Sequence, residues 1–442
     1  MIVSKFGGTS VGSFEAMKNC SEIIAANPKR SLVVISATSG TTNDLVALAS
    51  SDLDSTAREG IIIRIKERHL SICEKLKKPV KAKTAFKEEL TQLRQHMDQV
   101  ARDKRWKDRL VSFGELMSTR IFIEVLKERG INAEWLDARE ILKTDSTFGN
   151  ATTDRNLLKK NLIKSIRENK VYLTQGFIGS DIFGNTTTLG RGGSDLSAAL
   201  FAEALHAELL EIWTDVAGIY STDPRIVEKA HPINEITFDE AAELSVFGGK
   251  VLHPATLKPA IRGKINVRVA STNEPEKPGT YIVHETKDKP VIRALSLRKN
   301  QTLLTVRSLD MLHQYGFLAK LFQVLSENKI SVDLVSTSEV SVSLTLDTAV
   351  NASNKVELTK DVVEELSTFC EVDIEKDYCL IALIGNNLKK TAGISGKLFN
   401  KLKDFNIRMI CHGASENNIC FLAAESEGET ILKLLHKEFI ET

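Results

Sequence analysis

No stretch of this 442-residue chain approaches the ~20 consecutive apolar residues that span a bilayer; its longest apolar runs are like Cys379–Ile384. Neither sign of charge is in excess. Lys and Arg number 59 against 58 Asp and Glu, which excludes a protein held to nucleic acid or a membrane surface by bulk charge. The six cysteines (Cys20, Cys73, Cys370, Cys379, Cys411 and Cys420) form no CxxC pair and no metal-ligand spacing. The nine histidines make no HExxH cluster, so buried, reduced thiols and no zinc are expected. A signal-peptide pattern is also missing, because the N-terminus enters a strand directly; a cytoplasmic protein is expected. The common nucleotide fingerprints are absent too. Gly7 and Gly12 have P-loop spacing, but Ser13-Phe14 follow where Lys-Ser/Thr is needed. Gly190 and Gly192 begin a GxGxxG, but Asp195 stands at its third glycine. Without HRD or DFG, protein-kinase chemistry is disfavoured as well.

What remains is ordinary soluble-protein composition, 42% hydrophobic and 26% charged, in a chain long enough for two or three domains. Its first segment, Ile2-Val3-Ser4-Lys5-Phe6-Gly7-Gly8-Thr9-Ser10, reads as a strand running into a glycine turn, with a helical run over 13–26. Backbone N–H groups and a helix dipole at such a place suit an anion, and Lys5 adds a movable charge. Alone, the stretch is as readily a plain turn. Ser31–Ala37 repeats the pattern as a buried strand, ending in the hydroxyl-rich run Ser36 to Asn43 that includes Thr42. The recurrence favours a doubly wound α/β sheet, whose ligands collect beyond the carboxyl ends of its strands. Leu110 to Thr119 opens a further helix, to about Arg129, in which Glu115 lies among apolar and small residues. Glu115 fits either a substrate ammonium group or the dipole of a first helical turn.

The most informative run is Thr186-Thr187-Thr188-Leu189-Gly190-Arg191-Gly192-Gly193-Ser194-Asp195, after the strand Val171–Phe177. Its glycines let the backbone close on a ligand, and Arg191 offers a planar two-point contact to a carboxylate. Ser194 and Asp195 fall at the start of an apolar helix, where either could also serve as a cap. Leu209–Thr214 is a strand ending in Asp215, with Tyr220 as an aromatic surface and Arg225 as a phosphate contact in the following loop. Phe247-Gly248-Gly249-Lys250-Val251-Leu252-His253-Pro254 sets a second lysine beside paired glycines, although Lys250 also suits a plain helix; His253 reads as a helix-entry residue.

The last third contains a repeat. Segment 316–344 matches 393–421 at a constant offset of 77, with Gly316, Lys320, Leu321, Phe322, Leu325, Ile330, Ser338 and Glu339 recurring as Gly393, Lys397, Leu398, Phe399, Leu402, Ile407, Ser415 and Glu416. The second copy lacks the final strand that Cys370–Ile374 gives the first, while a spare strand, Ile292–Leu297, precedes both. An incomplete sheet would leave backbone unpaired, so the spare strand is expected to complete the second copy with the first nested inside it. Stacked α+β repeats serve as a ligand-binding module or as a dimerisation platform.

Four of these motifs, KFGGTS, SFGEL, TTTLGRGGSD and FGGKVLHP, together resemble aspartate kinase, and the paired repeats resemble its tandem ACT domains. The chain is similar to the monofunctional, lysine-sensitive type, since no homoserine dehydrogenase region follows. The resemblance implies an amino acid kinase domain over 1–288, a mostly parallel open α/β sheet with helices on both faces. It implies two ferredoxin-like ACT domains over 289–442, the first over 309–376 and the second built from 291–308 and 377–442. The implied reaction makes β-aspartyl phosphate from ATP and L-aspartate, with Mg²⁺ accompanying ATP and held largely by phosphate and water rather than by protein ligands. Lys5 would neutralise charge on the transferring phosphoryl group and Lys250 would act nearer the nucleotide, with Asp195 organising the lysines. Arg191 would clamp the α-carboxylate, and Ser36, Thr42, Glu115 and Ser194 would complete the aspartate pocket. Gly7, Gly8, Thr214, Asp215, Tyr220 and Arg225 would bind ATP with both lysines. Met311, Phe317, Leu318, Val332, Asp333, Ser338 and Glu339 match lysine-effector positions, with Gln314 where relatives often carry a small hydroxyl residue. A homodimer through the ACT domains, or a tetramer, is implied, with no nucleic-acid or membrane partner. Two rival expectations are another kinase of the same fold, acting on glutamate or acetylglutamate, and a catalytically silent amino-acid sensor.

Overall fold

The computed structural model describes residues 1–441 apart from 51–52, 100–101, 168, 249–253, 313–314 and 347–357. The chain divides into two compact units. One comprises Met1–Ile219, Pro232–Phe238 and Lys250–Thr286, and the other Tyr220–His231, Asp239–Gly249 and Lys287–Thr442.

The first unit is built on an eight-stranded sheet. From one edge its strands are Ala133–Leu136, Val171–Gln175, Arg30–Ile35, Ile2–Phe6, Leu209–Thr214, Asn266–Ser271, Thr280–Val283 and Glu235–Thr237. The first six run parallel, Thr280–Val283 turns antiparallel to Asn266–Ser271, and Glu235–Thr237 runs parallel to it. Every residue of Ile2–Phe6 is buried. Because successive side chains point to opposite faces, both faces of this central strand are covered. Phe6 stacks on Trp213 of the next strand at 6.0 Å between ring centroids. Burying each such ring is worth about 2–3 kcal/mol. A buried carboxylate cross-links the same strands. Glu211 accepts from Ser4 Oγ (2.8 Å), Arg30 Nε (2.7 Å), Trp213 Nε1 (3.0 Å) and Arg268 Nη1 (3.3 Å). Burial alone would raise its pKa, but the Arg30 guanidinium and the other donors hold it below the usual range. The strand carrying Lys5 is thereby locked to the one ending at Thr214.

Long helices, Ser55–Glu74, Pro79–Met97 and Lys104–Glu128, fill the charge-rich stretch between strands. The last starts earlier than the sequence suggested, because Asp103 caps it by accepting from Trp106 N (2.8 Å). Glu115 consequently sits in mid-helix and not in a first turn, which removes its dipole reading.

The second unit carries a six-stranded antiparallel sheet in the order Val332–Thr337, Ser341–Leu346, Ala294–Arg307, Glu371–Ile384, Asn418–Ala424 and Met409–His412. Its two central strands, each of 14 residues, run through both halves. Ala294–Arg298 pairs with Ile384–Leu380 in the second repeat's half, and Leu303–Arg307 with Glu375–Glu371 in the first's. Each half has its own core: helices Phe317–Glu327 and Lys360–Ser367 supply Leu321, Leu325 and Leu366 to one, while Ile394–Lys401 and Gly428–Phe439 supply Leu398, Ile431 and Leu435 to the other. No described helix is long and apolar enough to cross a membrane.

Candidate functional site

In the first unit the sequence motifs converge on the carboxyl ends of the parallel strands. Lys5 and Phe6 end one strand. Gly7 N donates to Trp213 O (3.1 Å), Ser36 N to Phe6 O (3.2 Å), and Ser39 N to Gly8 O (3.1 Å), so the first two glycine and hydroxyl turns interlock. At Gly8 a Cβ would lie 2.7 Å from the Ala37 carbonyl, which explains the glycine by close approach; its backbone is ordinary at φ −61°. A short 3₁₀ turn, Thr9–Val11, follows the glycines, and the helix Phe14–Ala25 begins only after Ser13 caps it at Ala16 N.

The Gly190–Asp195 run reaches the same edge. Gly190 and Gly192 have φ of +76° and +67°, conformations that side chains rarely adopt, and Gly192 starts the helix Gly193–Leu205. Asp195 in its first turn holds Lys5, with Nζ to Oδ1 at 2.5 Å and both side chains largely buried. Ser194 presses on Gly176, at the end of the Val171–Gln175 strand, where a Cβ would come within 2.6 Å of it. Arg191 is exposed and makes no ion pair among the described residues. Thr41, at the start of the helix Thr41–Leu48, is buried and takes a bond from Arg68 Nη1 (3.2 Å), and Thr42 beside it is half-buried.

Glu115 lies beneath this edge with 3% exposure. Its Oε1 accepts from Ala37 N (3.2 Å), while Oε2 is buried with no hydrogen-bond partner. Burial pushes its pKa up to about 8, opposed chiefly by the Ala37 hydrogen bond. An unpartnered buried carboxylate oxygen is costly to leave and suits an incoming cation. Ser118 on the same helix donates to the Ser36 carbonyl (2.8 Å), tying the helix to the turn.

Thr214 ends its strand with Oγ1 bonded to Asp215 Oδ1 (3.0 Å). Tyr220 and Arg225 belong to the second unit. Tyr220 is half-buried there, and exposed Arg225 is paired to Asp223 at 2.6 Å. Lys250 and His253 lie outside the described residues, as does Gln314.

Within the second unit, Met311, Phe317 and Val332 are half-buried, and Leu318, Ser338 and Glu339 are exposed. Phe317 meets Phe369 edge-on at 5.8 Å. Ser338 Oγ pairs with Ser341 Oγ (2.7 Å), and Asp333 is ion-paired to Arg298.

Two contributors escaped the sequence reading. Asp108 is buried and accepts from Gly149 N (2.9 Å), Thr188 N (2.8 Å) and Thr188 Oγ1 (3.0 Å), fixing the strand that leads into the Arg191 loop. Gly176 makes room for Ser194. Neither stands in a motif that marks such a role, although Asp108, an acid just ahead of an apolar helical stretch, was a visible oddity. Among the described residues no three His, Cys, Asp or Glu side chains are grouped to hold a metal.

The amino acid kinase family model matches residues 1–271, and an ACT domain model matches 304–352 and 381–439. The chain is 47% identical over 452 residues to lysine-sensitive aspartokinase 3 of Escherichia coli (strain K12), covering 100% of this chain and 99% of that one. It is similar to the crystal structure of E. coli aspartokinase III in complex with aspartate and ADP (R-state), with TM-score 0.88 and 46% identity over 99% of both chains. It is also similar to that enzyme in complex with lysine and aspartate (T-state), with TM-score 0.89 and 46% identity over 100% of this chain and 99% of that one.

Proposed function

Because the chain belongs to the aspartokinases of the amino acid kinase family, we propose that it transfers the γ-phosphoryl group of ATP to the β-carboxylate of L-aspartate, giving 4-phospho-L-aspartate and ADP, the entry step toward lysine, threonine and methionine. The observation that carries this reading is the Lys5–Asp195 ion pair at the carboxyl edge of the sheet, beside the turns of Gly7, Gly8 and Ser36. Phosphoryl transfer needs positioning and charge stabilisation more than covalent help. The acceptor carboxylate is ionised at neutral pH and attacks phosphorus as the bond to ADP breaks, so no base is required. Lys5 offsets the charge that builds on the transferring oxygens, and Asp195 fixes the ammonium where it is needed. Arg191 takes the α-carboxylate in a two-point contact. Glu115, with Oε2 unpartnered, takes the α-ammonium, and Ser36, Thr42 and Ser194 line the remainder.

Gly7, Gly8, Thr214, Asp215, Tyr220, Arg225 and Lys250 serve the nucleotide in this reading, with Lys250 as the second catalytic lysine. Mg²⁺ enters with ATP, supplies charge neutralisation on the phosphates, and takes its ligands from phosphate oxygens and water. Free lysine is the feedback inhibitor, held at Met311, Phe317, Leu318, Val332, Asp333, Ser338 and Glu339. The chain assembles as a homodimer through the first repeat, or as a tetramer, in the cytoplasm. Exposed Leu309, Leu312, Tyr315, Leu318 and Val335 cluster in that repeat, two of them beside or within the edge strand Val332–Thr337, and support an interface there.

The test is ATP-dependent hydroxamate formation with aspartate, glutamate or acetylglutamate, each with and without lysine. Turnover of aspartate alone, suppressed by lysine, is expected. Turnover of none, or preference for glutamate or acetylglutamate, would overturn the substrate; indifference to millimolar lysine would overturn the effector.

A further inference from the structure

Arg298 occupies an unusual position in the second unit. It lies near the crossover of the shared strand Ala294–Arg307, where the second repeat's half gives way to the first's. Its guanidinium serves three groups at once. Nη2 pairs with Asp333 Oδ2, Nε and Nη2 donate to Gln301 Oε1 (3.2 and 2.9 Å), and Nη1 donates to the Val246 carbonyl (3.3 Å). Val246 closes the helix Phe238–Val246, whose last carbonyls have no intrahelical donor. An arginine there satisfies an orphan acceptor and complements the negative end of the helix. Two residues back, on the same face of the strand, Ser296 Oγ donates to the next carbonyl, Phe247 O (2.6 Å). Gly248 follows with φ +120°, and a Cβ on it would stand 3.1 Å from Ser296 Oγ. The turn leading to Gly249-Lys250 is thus pressed against the strand that carries Arg298.

We propose that Arg298 is the relay by which an alkylammonium effector at the first repeat acts on the Lys250 turn: the effector's ammonium competes with the guanidinium for Asp333, and Arg298 transmits that loss to the Val246 and Phe247 carbonyls. The inference rests on the reading of Asp333 as an effector ligand. The carboxylate is largely buried, so two cations cannot both hold it in the geometry that Arg298 now has. An ammonium that takes Asp333 removes the anchor of a side chain whose other contacts are to neutral acceptors. The helix end is then gripped by Ser296 alone, and the glycine turn beyond it is free to move. Linkage makes the coupling reciprocal: whatever fixes the helix end, nucleotide included, weakens effector binding by the same factor.

Three full-length variants test this, with free lysine as the probe, its binding measured by equilibrium dialysis and inhibition measured separately by ADP release. In Arg298→Ala, Asp333 is released from its competitor, so lysine should bind at least threefold tighter. The lysine-free enzyme should already show a several-fold higher KM for ATP, with saturating lysine changing its rate by less than twofold. Arg298→Lys keeps a cation for Asp333 but cannot hold Gln301 and the Val246 carbonyl as well. It should bind lysine within twofold of the parent yet lose most of the inhibition, and it serves if the alanine variant does not fold. Asp333→Asn should lose lysine binding. If Asp333→Asn binds lysine normally, the effector assignment fails. If Asp333→Asn loses binding while the folded Arg298 variants keep parental affinity and parental inhibition, the relay alone is overturned.

Discussion

Lys5 Nζ and Asp195 Oδ1 stand 2.5 Å apart, on a strand end and a helix start that are 190 residues apart in sequence. The pair fixes a mobile ammonium where the interlocked turns of Gly7, Gly8 and Ser36 leave backbone facing the sheet edge. If this ammonium stabilises charge in transfer, Lys5→Met should lower kcat by about a hundredfold or more, the scale of one transition-state contact. KM for aspartate should move far less. A coupled ADP-release assay reads both, and an unchanged kcat in a folded variant would refute the role.

Glu115 makes aspartate binding depend on pH. Its carboxyl is protonated below about 8 because burial disfavours the charge, and an α-ammonium requires the ionised form. Binding therefore releases a proton. The apparent KM for aspartate should fall as pH rises from 6 toward 8, by up to about tenfold per unit for one coupled proton, and level off above. Glu115→Gln should flatten that dependence and weaken binding throughout. Stability of the unliganded fold runs the opposite way. Between 4.5 and about 8 the unfolded chain has released this proton while the folded chain keeps it, so the group's contribution to stability declines across that window and Glu115→Gln removes the decline. A steep KM–pH profile persisting in the glutamine variant would remove Glu115 from the ammonium site.

Asp108 acts at one remove, through the three bonds it accepts from Gly149 and Thr188. Burial raises its pKa, opposed by those hydrogen bonds, so the structure depends on these donors being met. Asp108→Ala leaves the Thr188 and Gly149 N–H groups without their acceptor, at a cost of about 1–3 kcal/mol each if they stay buried. Because Thr188 leads directly into Leu189-Gly190-Arg191, the substitution should raise KM for aspartate several-fold more than KM for ATP. Equal changes in both constants would mean general destabilisation instead.

Much of this site was legible because its groups sit in short runs whose composition suits a bound ligand better than a plain turn. Gly190 and Gly192 need positive φ, Gly8 needs close approach, and Lys5 ends a strand buried on both faces. The repeat exposed the shared antiparallel sheet, since a missing strand must be supplied from somewhere. Contacts between residues distant in sequence were not legible. Asp108 and Gly176 acquire their roles only when Thr188 and Ser194 are folded against them. The start of the Glu115 helix was misplaced because Asp103 reads as one more charge in a charged stretch until its cap is formed. Arg298 likewise looks like a surface arginine in a polar strand until Asp333 and Val246 reach it from two other elements.

The C-terminal helix carries the last prediction. His436 is fully buried, with Nε2 2.9 Å from Ser221 Oγ and Nδ1 2.9 Å from Glu441 Oε1. Ser221 Oγ also accepts from His231 N (3.1 Å), so this hydroxyl closes the loop that begins at Tyr220 and contains Arg225. Lys229, on the same loop, pairs with Glu441 at 3.0 Å. The loop is therefore held to the second repeat through one imidazole and one carboxylate. His436→Ala opens a cavity and strands the Ser221 hydroxyl, which should cost about 2–4 kcal/mol and lower Tm by several degrees. If the loop serves ATP, its KM for ATP should rise while KM for aspartate holds. His436→Gln keeps a side chain able to meet either Ser221 or Glu441 and should recover part of both losses. A lowered Tm with an unchanged KM for ATP would make His436 a packing residue only, and would take Tyr220 and Arg225 out of the nucleotide site's dependence on this helix.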